Sequence, residues 1–337
     1  MDSGRQADLP GEFVRRVVVS TICRGSRPGE PSGHLYVVDP ERGVLGSREV
    51  PPAPYLEREP NPRGGIRGGR GLAADGDTLL VANGAEVLRY DCAWRPLATI
   101  SHPWCGNVHD IAVHDGRLWV CSTANDALAV FDPGGRLTDL VDLRPAALLD
   151  GVGAGARFSA AIDYRDPAGY EAADSNLLHA NGIGFDASGV PLVSLGRTES
   201  EDGGVHGLIV RADGRADPLP VADDVIVPTH NVAPLPDGTV LSLDSGAGEL
   251  LVLRADGTVA RSLSLAPPAP HGFLRGLCPA GGKRVLVGER NRLLVVDLAA
   301  ARTTGSVTLG ESPSESVYAI APLPEDFKPL PPRLPSP

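Results

Sequence analysis

Short apolar runs, several of them alternating with polar residues, recur along the whole chain. Examples are TLLVAN from Thr78, RLWVCS from Arg117 and ELLVLR from Glu249. They are separated by Asp-Gly, Asp-Pro-Gly-Gly or Gly-Gly turns. Short runs bounded by such turns are typical of antiparallel β-hairpins, so the chain is predicted to be all-β.

Six of these segments begin in the same way, with a polar and a small residue before two or three apolar positions. The openings are Arg70-Gly71-Leu72-Ala73, His109-Asp110-Ile111-Ala112, Asn181-Gly182-Ile183-Gly184, His230-Asn231-Val232-Ala233, Arg275-Gly276-Leu277-Cys278 and Tyr318-Ala319-Ile320-Ala321. They lie 39, 72, 49, 45 and 43 residues apart in chain order. Repeats of about 40 to 45 residues match one four-stranded blade of a β-propeller. The long interval predicts an insertion at about 144–176, with a short helix and a loop over one mouth of the channel.

The sixth opening lies too close to the C-terminus for three more strands, whereas the N-terminal region carries strand-like runs from Val14, His34 and Gly43. We therefore predict a six-bladed propeller in which N- and C-terminal strands complete one blade and remove both sheet edges. The propeller would be a single domain over 1–328, followed by a proline-rich tail over 329–337. Seven blades are the main alternative. A β-sandwich would make the shared register of the six openings a coincidence.

Composition narrows the possible partners. The formal net charge of -11 argues against nucleic acid as a partner. No stretch approaches 18 apolar residues and residues 1–16 lack a signal-peptide core, so no membrane association is expected. The five cysteines contain no CxxC pair, which favours a reducing, cytoplasmic setting. The oligomeric state is left open.

The innermost strand of each propeller blade lines the central channel, so the six polar openings should converge there. Histidines stand at or beside four consecutive openings: His109, His179, His230 and His271. Imidazoles that meet on an axis are plausible ligands for iron, copper or zinc. The alternative is that they hydrogen-bond water and backbone carbonyls.

Arg70 and Arg275 bring two permanent cations to the same volume. They could orient a carboxylate or phosphate of a small-molecule substrate, or form structural ion pairs with Asp110 or Glu289. Tyr318 could donate a proton or orient a ligand, but a wall of the channel is the preferred interpretation. Together with Asn181, these residues form the candidate catalytic set.

Part of the chain resembles a family of uncharacterised bacterial propeller proteins. The segments that carry the resemblance are LLHANGIGFD from Leu177, PTHNVAPLPDGTVLSLDSGAGEL from Pro228 and GFLRGLCPAGGKRVLVGE from Gly272. The resemblance implies a propeller and points to His179, His230 and Arg275, but it supplies no reaction.

More distantly, the Asn181-Gly182-Ile183 turn is similar to that of the gluconolactonase and SMP-30 propellers, in which this asparagine binds a divalent cation such as calcium or magnesium. This resemblance implies a lactonase-like hydrolase. The chain departs from that pattern because His230 stands where an acidic residue is expected and Glu12 is a loose match for the N-terminal glutamate.

The leading functional hypothesis is a metalloenzyme, an oxidoreductase or a lyase, that acts on a small anionic organic molecule in the channel. A lactonase-like hydrolase and a non-catalytic binding module are the alternatives.

Overall fold

The protein is described here from a computed structural model, which covers residues 14–27, 29–52, 68–144, 161, 163–166, 178–199, 205–212, 216–219 and 229–330. These residues form six four-stranded antiparallel sheets. Besides the strands, a short 3-10 helix spans Thr123–Asn125. Within the described residues, no helix has the length and apolar character needed to cross a membrane.

The strands are numbered in chain order. Those of the first half are β1 (Val17–Cys23), β2 (His34–Asp39), β3 (Gly43–Glu49), β4 (Leu72–Asp75), β5 (Thr78–Ala82), β6 (Glu86–Tyr90), β7 (Ile100–Ser101), β8 (Val108–His114), β9 (Arg117–Ser122), β10 (Ala127–Phe131) and β11 (Leu137–Asp142). Those of the second half are β12 (Ala180–Phe185), β13 (Pro191–Glu199), β14 (Val205–Ala212), β15 (Ala216–Leu219), β16 (Thr229–Pro234), β17 (Val240–Asp244), β18 (Glu249–Leu253), β19 (Val259–Ser264), β20 (Leu274–Pro279), β21 (Arg284–Glu289), β22 (Arg292–Asp297), β23 (Arg302–Thr308) and β24 (Glu315–Pro322).

Each sheet is one blade of a propeller. Blade 1 has the strand order β24-β1-β2-β3, and blades 2 to 6 each take four consecutive strands from β4 onward. The innermost strands contact one another in the cyclic order β24, β4, β8, β12, β16, β20 and back to β24. The six-bladed propeller is thus confirmed, and the seven-bladed and sandwich alternatives are wrong.

The two ends of the chain meet in blade 1. Strand β24 pairs antiparallel with β1, in a register that places Val17 opposite Pro322 and Cys23 opposite Glu315. Closure by N- and C-terminal strands is therefore confirmed. Because β1 and β24 pair with each other, the edges that they would otherwise expose are covered.

The core lies between blades, because each blade packs both faces against its neighbours. The third strand of blade 3, ALAVF at Ala127–Phe131, is buried at every position. The outermost strand of blade 6, RTTGSVT at Arg302–Thr308, is largely exposed. One inter-blade cluster contains Val18, Leu79 and Phe327, from blades 1 and 2 and the segment after β24. The burial of these strands thus falls from the middle of a blade to its rim.

Two sequence predictions concern segments of which little is described. The insertion at 144–176 falls outside the described residues except for 144, 161 and 163–166. At the C-terminal tail, Leu330 is 5% exposed and packs in the cluster with Val18 and Leu79. The packed chain thus continues at least two residues beyond 328.

Candidate active site in the propeller channel

Irregular pairing marks the start of four innermost strands. Register shifts lie between Val108 and Ile111 in β8, between Ala180 and Gly182 in β12, between His230 and Val232 in β16, and between Leu274 and Leu277 in β20. Such bulges bend a strand and re-aim its side chains. His109, Asn181, His230 and Arg275 lie at these bulges, whereas His179 and His271 precede β12 and β20.

Side chains at the bulges also join neighbouring blades. Asn231, with φ of 56°, accepts a hydrogen bond on Oδ1 from the Gly276 backbone N–H at 2.9 Å. Asp110 likewise accepts one from the Ile183 N–H at 3.2 Å. Burial raises the pKa of Asp110 to about 7. These contacts tie blade 5 to blade 6 and blade 3 to blade 4.

Arg275 spans the channel. It belongs to blade 6, and its Nη2 lies 3.3 Å from Nδ1 of His109 in blade 3, directly opposite in the ring. Its guanidinium carbon is 3.4 Å from the centroid of the Tyr318 ring in blade 1. The guanidinium is therefore stabilised by the face of an aromatic ring and by an imidazole nitrogen.

His109 is held as a neutral imidazole. Its side chain is buried, and its ring lies 4.7 Å from that of His179 at an interplanar angle of 85°. Burial, followed by His179, Arg275 and Arg70, holds the pKa of His109 well below its ordinary value. Because a guanidinium can only donate, Nδ1 of His109 is the acceptor and its proton lies on Nε2.

Arg70 is buried at 1% exposure. Its Nη1 donates to Oδ1 of Asn107 at 2.6 Å and to the Val108 carbonyl at 2.9 Å. A Cβ on Gly84, whose φ is +96°, would lie 3.0 Å from the Arg70 guanidinium carbon. Glycine at position 84 therefore makes room for this buried cation.

Among the described residues, Arg70 Nε, Asn181 Nδ2 and Tyr318 Oη are buried donors without a hydrogen-bond partner. Asn181 Oδ1, in contrast, accepts a hydrogen bond from the Ser194 hydroxyl at 2.8 Å. A buried polar atom without a partner costs about 1–3 kcal/mol. Such atoms are rare in folded proteins and concentrate where function requires them.

The other three candidate histidines differ from one another in burial. His230 is buried, with Nδ1 2.8 Å from the Ser245 hydroxyl and its ring 5.4 Å from that of Phe273. His179, half-buried with φ of 53°, lies just before β12 and contacts His109. The fourth, His271, is exposed in the turn before β20.

The ion pair suggested between an arginine of the channel and Glu289 is wrong. Glu289 pairs with Arg292, whose Nη2 lies 2.7 Å from Oε2. The carboxylate of Asp110 accepts backbone N–H groups, from Ile111 at 3.0 Å and from Ile183. The charge of Arg275 also acts on Asp110, whose pKa it lowers against the larger opposing effect of burial.

A cavity of about 310 Å³ opens beside Arg275, between blades 1 and 6. Its described lining includes three guanidinium groups, from Arg24, Arg275 and Arg290, and no carboxylate. Phe273 forms an apolar wall and Ser316 adds a hydroxyl. The cavity thus offers cationic groups at one mouth of the channel.

Sequence reasoning missed Arg24, Arg290 and Ser245. Arg290 and Ser245 each directly follow the second strand of their blade, β21 and β17. The repeat register contained this signal, since the ends of all second strands meet at the same mouth as the starts of the innermost strands. Arg24 directly follows β1, which is the second strand of blade 1, and therefore carries the same signal.

Side chains of the types that bind metals lie close together in blade 1. Among the described residues, the group of three whose ligand atoms all lie within 4.8 Å of one another consists of Cys23, His34 and Glu315, at the end of blade 1. The channel histidines do not form such a group. Metal coordination by His109, His179, His230 and His271 stays a prediction.

The fold and the site together define a class, a six-bladed β-propeller with arginine, histidine and tyrosine side chains converging on its axis. No known family model matches the chain, and no curated protein matches its sequence. Solved structures match it as a fold. A chain of the nidogen/laminin complex has a TM-score of 0.57 at 14% identity and covers 90% of this chain and 97% of its own.

Two further propellers are similar. A Bacteroides caccae protein of unknown function has a TM-score of 0.57 at 11% identity, covering 90% of this chain and 97% of its own. Streptogramin B lyase has a TM-score of 0.50 at 11% identity, covering 74% of this chain and 71% of its own. At these identities the likeness concerns the fold alone.

Proposed function

We propose that the channel mouth is the active site of a lyase that acts on a small anionic organic molecule. The observation that carries the proposal is the position of Arg275. One guanidinium both lines the mouth cavity and reaches across the axis to a neutral histidine, His109. The contact between Arg275 and His109 thereby connects the proposed substrate-binding group with the proposed base.

The charge of the mouth supports an anionic substrate. Guanidinium groups bind carboxylate and phosphate in a bidentate fashion, and Arg24, Arg275 and Arg290 surround one small cavity. The chain as a whole carries a formal charge of -11, so this cationic cavity contrasts with the rest of the molecule. Phe273 and the neighbouring apolar lining would take the carbon skeleton of the substrate.

The histidines support proton transfer. When a substrate carboxylate draws Arg275 toward the cavity, Nδ1 of His109 loses its donor and its lone pair becomes available as a general base. His109 would then pass the proton to the leaving group, and His230, whose ring lies 5.4 Å from that of Phe273, is the candidate that orients this group. Abstraction of a proton beside a carboxylate, followed by loss of a leaving group, is lyase chemistry. The similar fold of streptogramin B lyase is compatible with it.

A metal-dependent form of this reaction is the second candidate, in line with the resemblance of the Asn181 and His230 segments to other propellers. It is favoured by the hydrogen bond between His230 and Ser245. If Nδ1 donates to the hydroxyl, Nε2 of His230 carries the lone pair that iron, copper or zinc would bind. A metal at His109 would need its Nε2, because Nδ1 faces Arg275.

Calorimetry with succinate and inorganic phosphate tests substrate binding, with a tetraalkylammonium salt as the cationic control. Loss of a charged hydrogen bond costs about 1.5–3 kcal/mol, so R275Q should weaken anion binding at least about 10-fold. R302Q, in the exposed outer strand β23, is the matched control and should bind as the parent does. Equal affinity of R275Q and the parent protein would refute the proposal.

Turnover is tested by screening hydroxy- and amino-carboxylates for elimination. H109Q should keep anion binding and lose turnover. Turnover that survives in H109Q and H230Q would contradict the catalytic roles proposed for these two histidines. Anion binding without turnover of any screened compound would indicate a binding module. If chelation removes activity and zinc, iron or copper restores it, the metal-dependent form is supported. If calcium or magnesium restores it, the lactonase-like hydrolase is supported.

A further inference from the structure

Blade 1 carries a second group of side chains beside the mouth cavity, at the end where β1, β2 and β24 meet. Cys23 ends β1, His34 begins β2 and Glu315 begins β24. Cys23 and Glu315 are direct cross-strand partners. One ligand atom from each of the three residues lies within 4.8 Å of the other two.

We infer that Cys23, His34 and Glu315 form a site for a divalent transition metal of the zinc type. Thiolate sulfur, imidazole nitrogen and carboxylate oxygen are the three donors that zinc takes in proteins. Nδ1 of His34 and Oε1 of Glu315 are already 2.8 Å apart. Ligand atoms around a tetrahedral zinc are separated by about 3.3–3.7 Å, so the three groups need to move little.

The surroundings of Glu315 hold its carboxylate in place. Thr21 donates to Oε1 at 2.6 Å, and the Tyr36 hydroxyl lies 3.0 Å from both oxygens. Outer hydrogen bonds of this kind orient metal ligands. All three strands of the site belong to the blade that joins the two ends of the chain, so its frame is a paired sheet rather than a loop.

Access and charge also fit a metal. Glu315 is buried, whereas Cys23 and the side chain of His34 are partly exposed, which leaves an approach for a metal and for a water as fourth ligand. A thiolate and a carboxylate supply two negative charges to offset a divalent cation. The channel histidines lie beside two guanidinium groups, which repel a cation.

Cobalt(II) titration of the metal-depleted protein tests the inference, because a thiolate ligand produces a charge-transfer band in the near ultraviolet. One equivalent should develop this band, and zinc should displace it. C23S should remove the band and weaken binding by more than the about 100-fold that loss of an outer hydrogen bond costs. The matched control is C92S, which replaces another partly exposed cysteine and should keep the band.

The H109Q/H230Q double variant separates this site from the channel and should also keep the band. Stoichiometric cobalt binding without a thiolate band, or a band that survives in C23S, would overturn the inference. So would failure of the parent protein to bind cobalt or zinc. Because R275Q should bind cobalt normally, the outcome here is independent of the anion binding proposed for the channel.

Discussion

At the residue scale, the channel combines groups that are costly to bury. His109 stays neutral between two guanidinium groups and a second imidazole, and three donors at Arg70, Asn181 and Tyr318 lack partners. These are departures from the rule that buried polar atoms are paired.

His109 should make stability depend on pH. Its folded pKa lies below its unfolded value of about 6.5, so only the unfolded state takes up this proton as the pH falls. The contribution is fully present above pH 6.5 and is lost below it, at up to about 1.4 kcal/mol per pH unit. H109Q should flatten the dependence of unfolding free energy on pH between about 6.5 and 5, measured by denaturant titration.

The exposed His271 supplies the control for that measurement, since H271Q should leave the slope of the parent protein unchanged. A slope in H109Q equal to that of the parent would show that His109 is protonated in the folded state.

Two buried tyrosines should respond in opposite ways to removal of the hydroxyl. The Tyr318 hydroxyl has no hydrogen-bond partner, so Y318F should leave the unfolding free energy unchanged or raise it by about 1 kcal/mol. The Tyr36 hydroxyl donates to Glu315, so Y36F should lower it by about 1–3 kcal/mol. Chemical denaturation measures both, and a loss of stability in Y318F like that in Y36F would contradict the assignment.

At the element scale, the bulges of the innermost strands decide where the site lies. A regular β20 would alternate its side chains between the two neighbouring blades, whereas the shift between Leu274 and Leu277 gives Arg275 and Gly276 a different direction. The same strand interruption produces the inter-blade hydrogen bond from Gly276 to Asn231. The bulge in β20 therefore determines both the direction of Arg275 and a hydrogen bond between blades 5 and 6.

Substitution of Gly276 tests this coupling. Gly276 has φ of +84°, and an added Cβ would approach the Val317 and Ile320 side chains at 3.1 and 3.2 Å. Gly238 has a similar φ of +83°, but its Cβ would meet only Ala255 at 3.8 Å. Both alanine variants bear about 1–2 kcal/mol of backbone strain, and G276A should be further destabilised by crowding. Equal melting temperatures of the two variants would contradict the close packing at the bulge.

At the scale of the whole molecule, the ring is held together by the pairing of β24 with β1. Every other blade is continuous in sequence, whereas blade 1 combines strands from opposite ends of the chain. Removal of β24 would expose the β1 edge and open the layer that Val317 and Ile320 fill between blades 1 and 6.

Truncation at the C-terminal end should therefore be decisive only when it removes β24. A chain that stops after Ser314 should aggregate or lose its cooperative melting transition, as measured by circular dichroism and size-exclusion chromatography. A chain that stops after Leu330 keeps β24 and the buried Leu330, and should melt as the full chain does. A folded monomer from the shorter chain would mean that the ring does not depend on its closure.

The sequence by itself determined the inner strands of most blades, the four-stranded repeat, the closure of blade 1 and the positions that open the innermost strands. Those features depend on local alternation, turn residues and a repeat length, all of which are visible along the chain. Only the tertiary structure decided that Arg275 meets His109, that Glu289 pairs with Arg292 and that Cys23, His34 and Glu315 assemble. Most of these contacts join residues that are far apart in the chain. Which residues meet depends on bulges and side-chain directions, and the sequence repeat does not specify either of them.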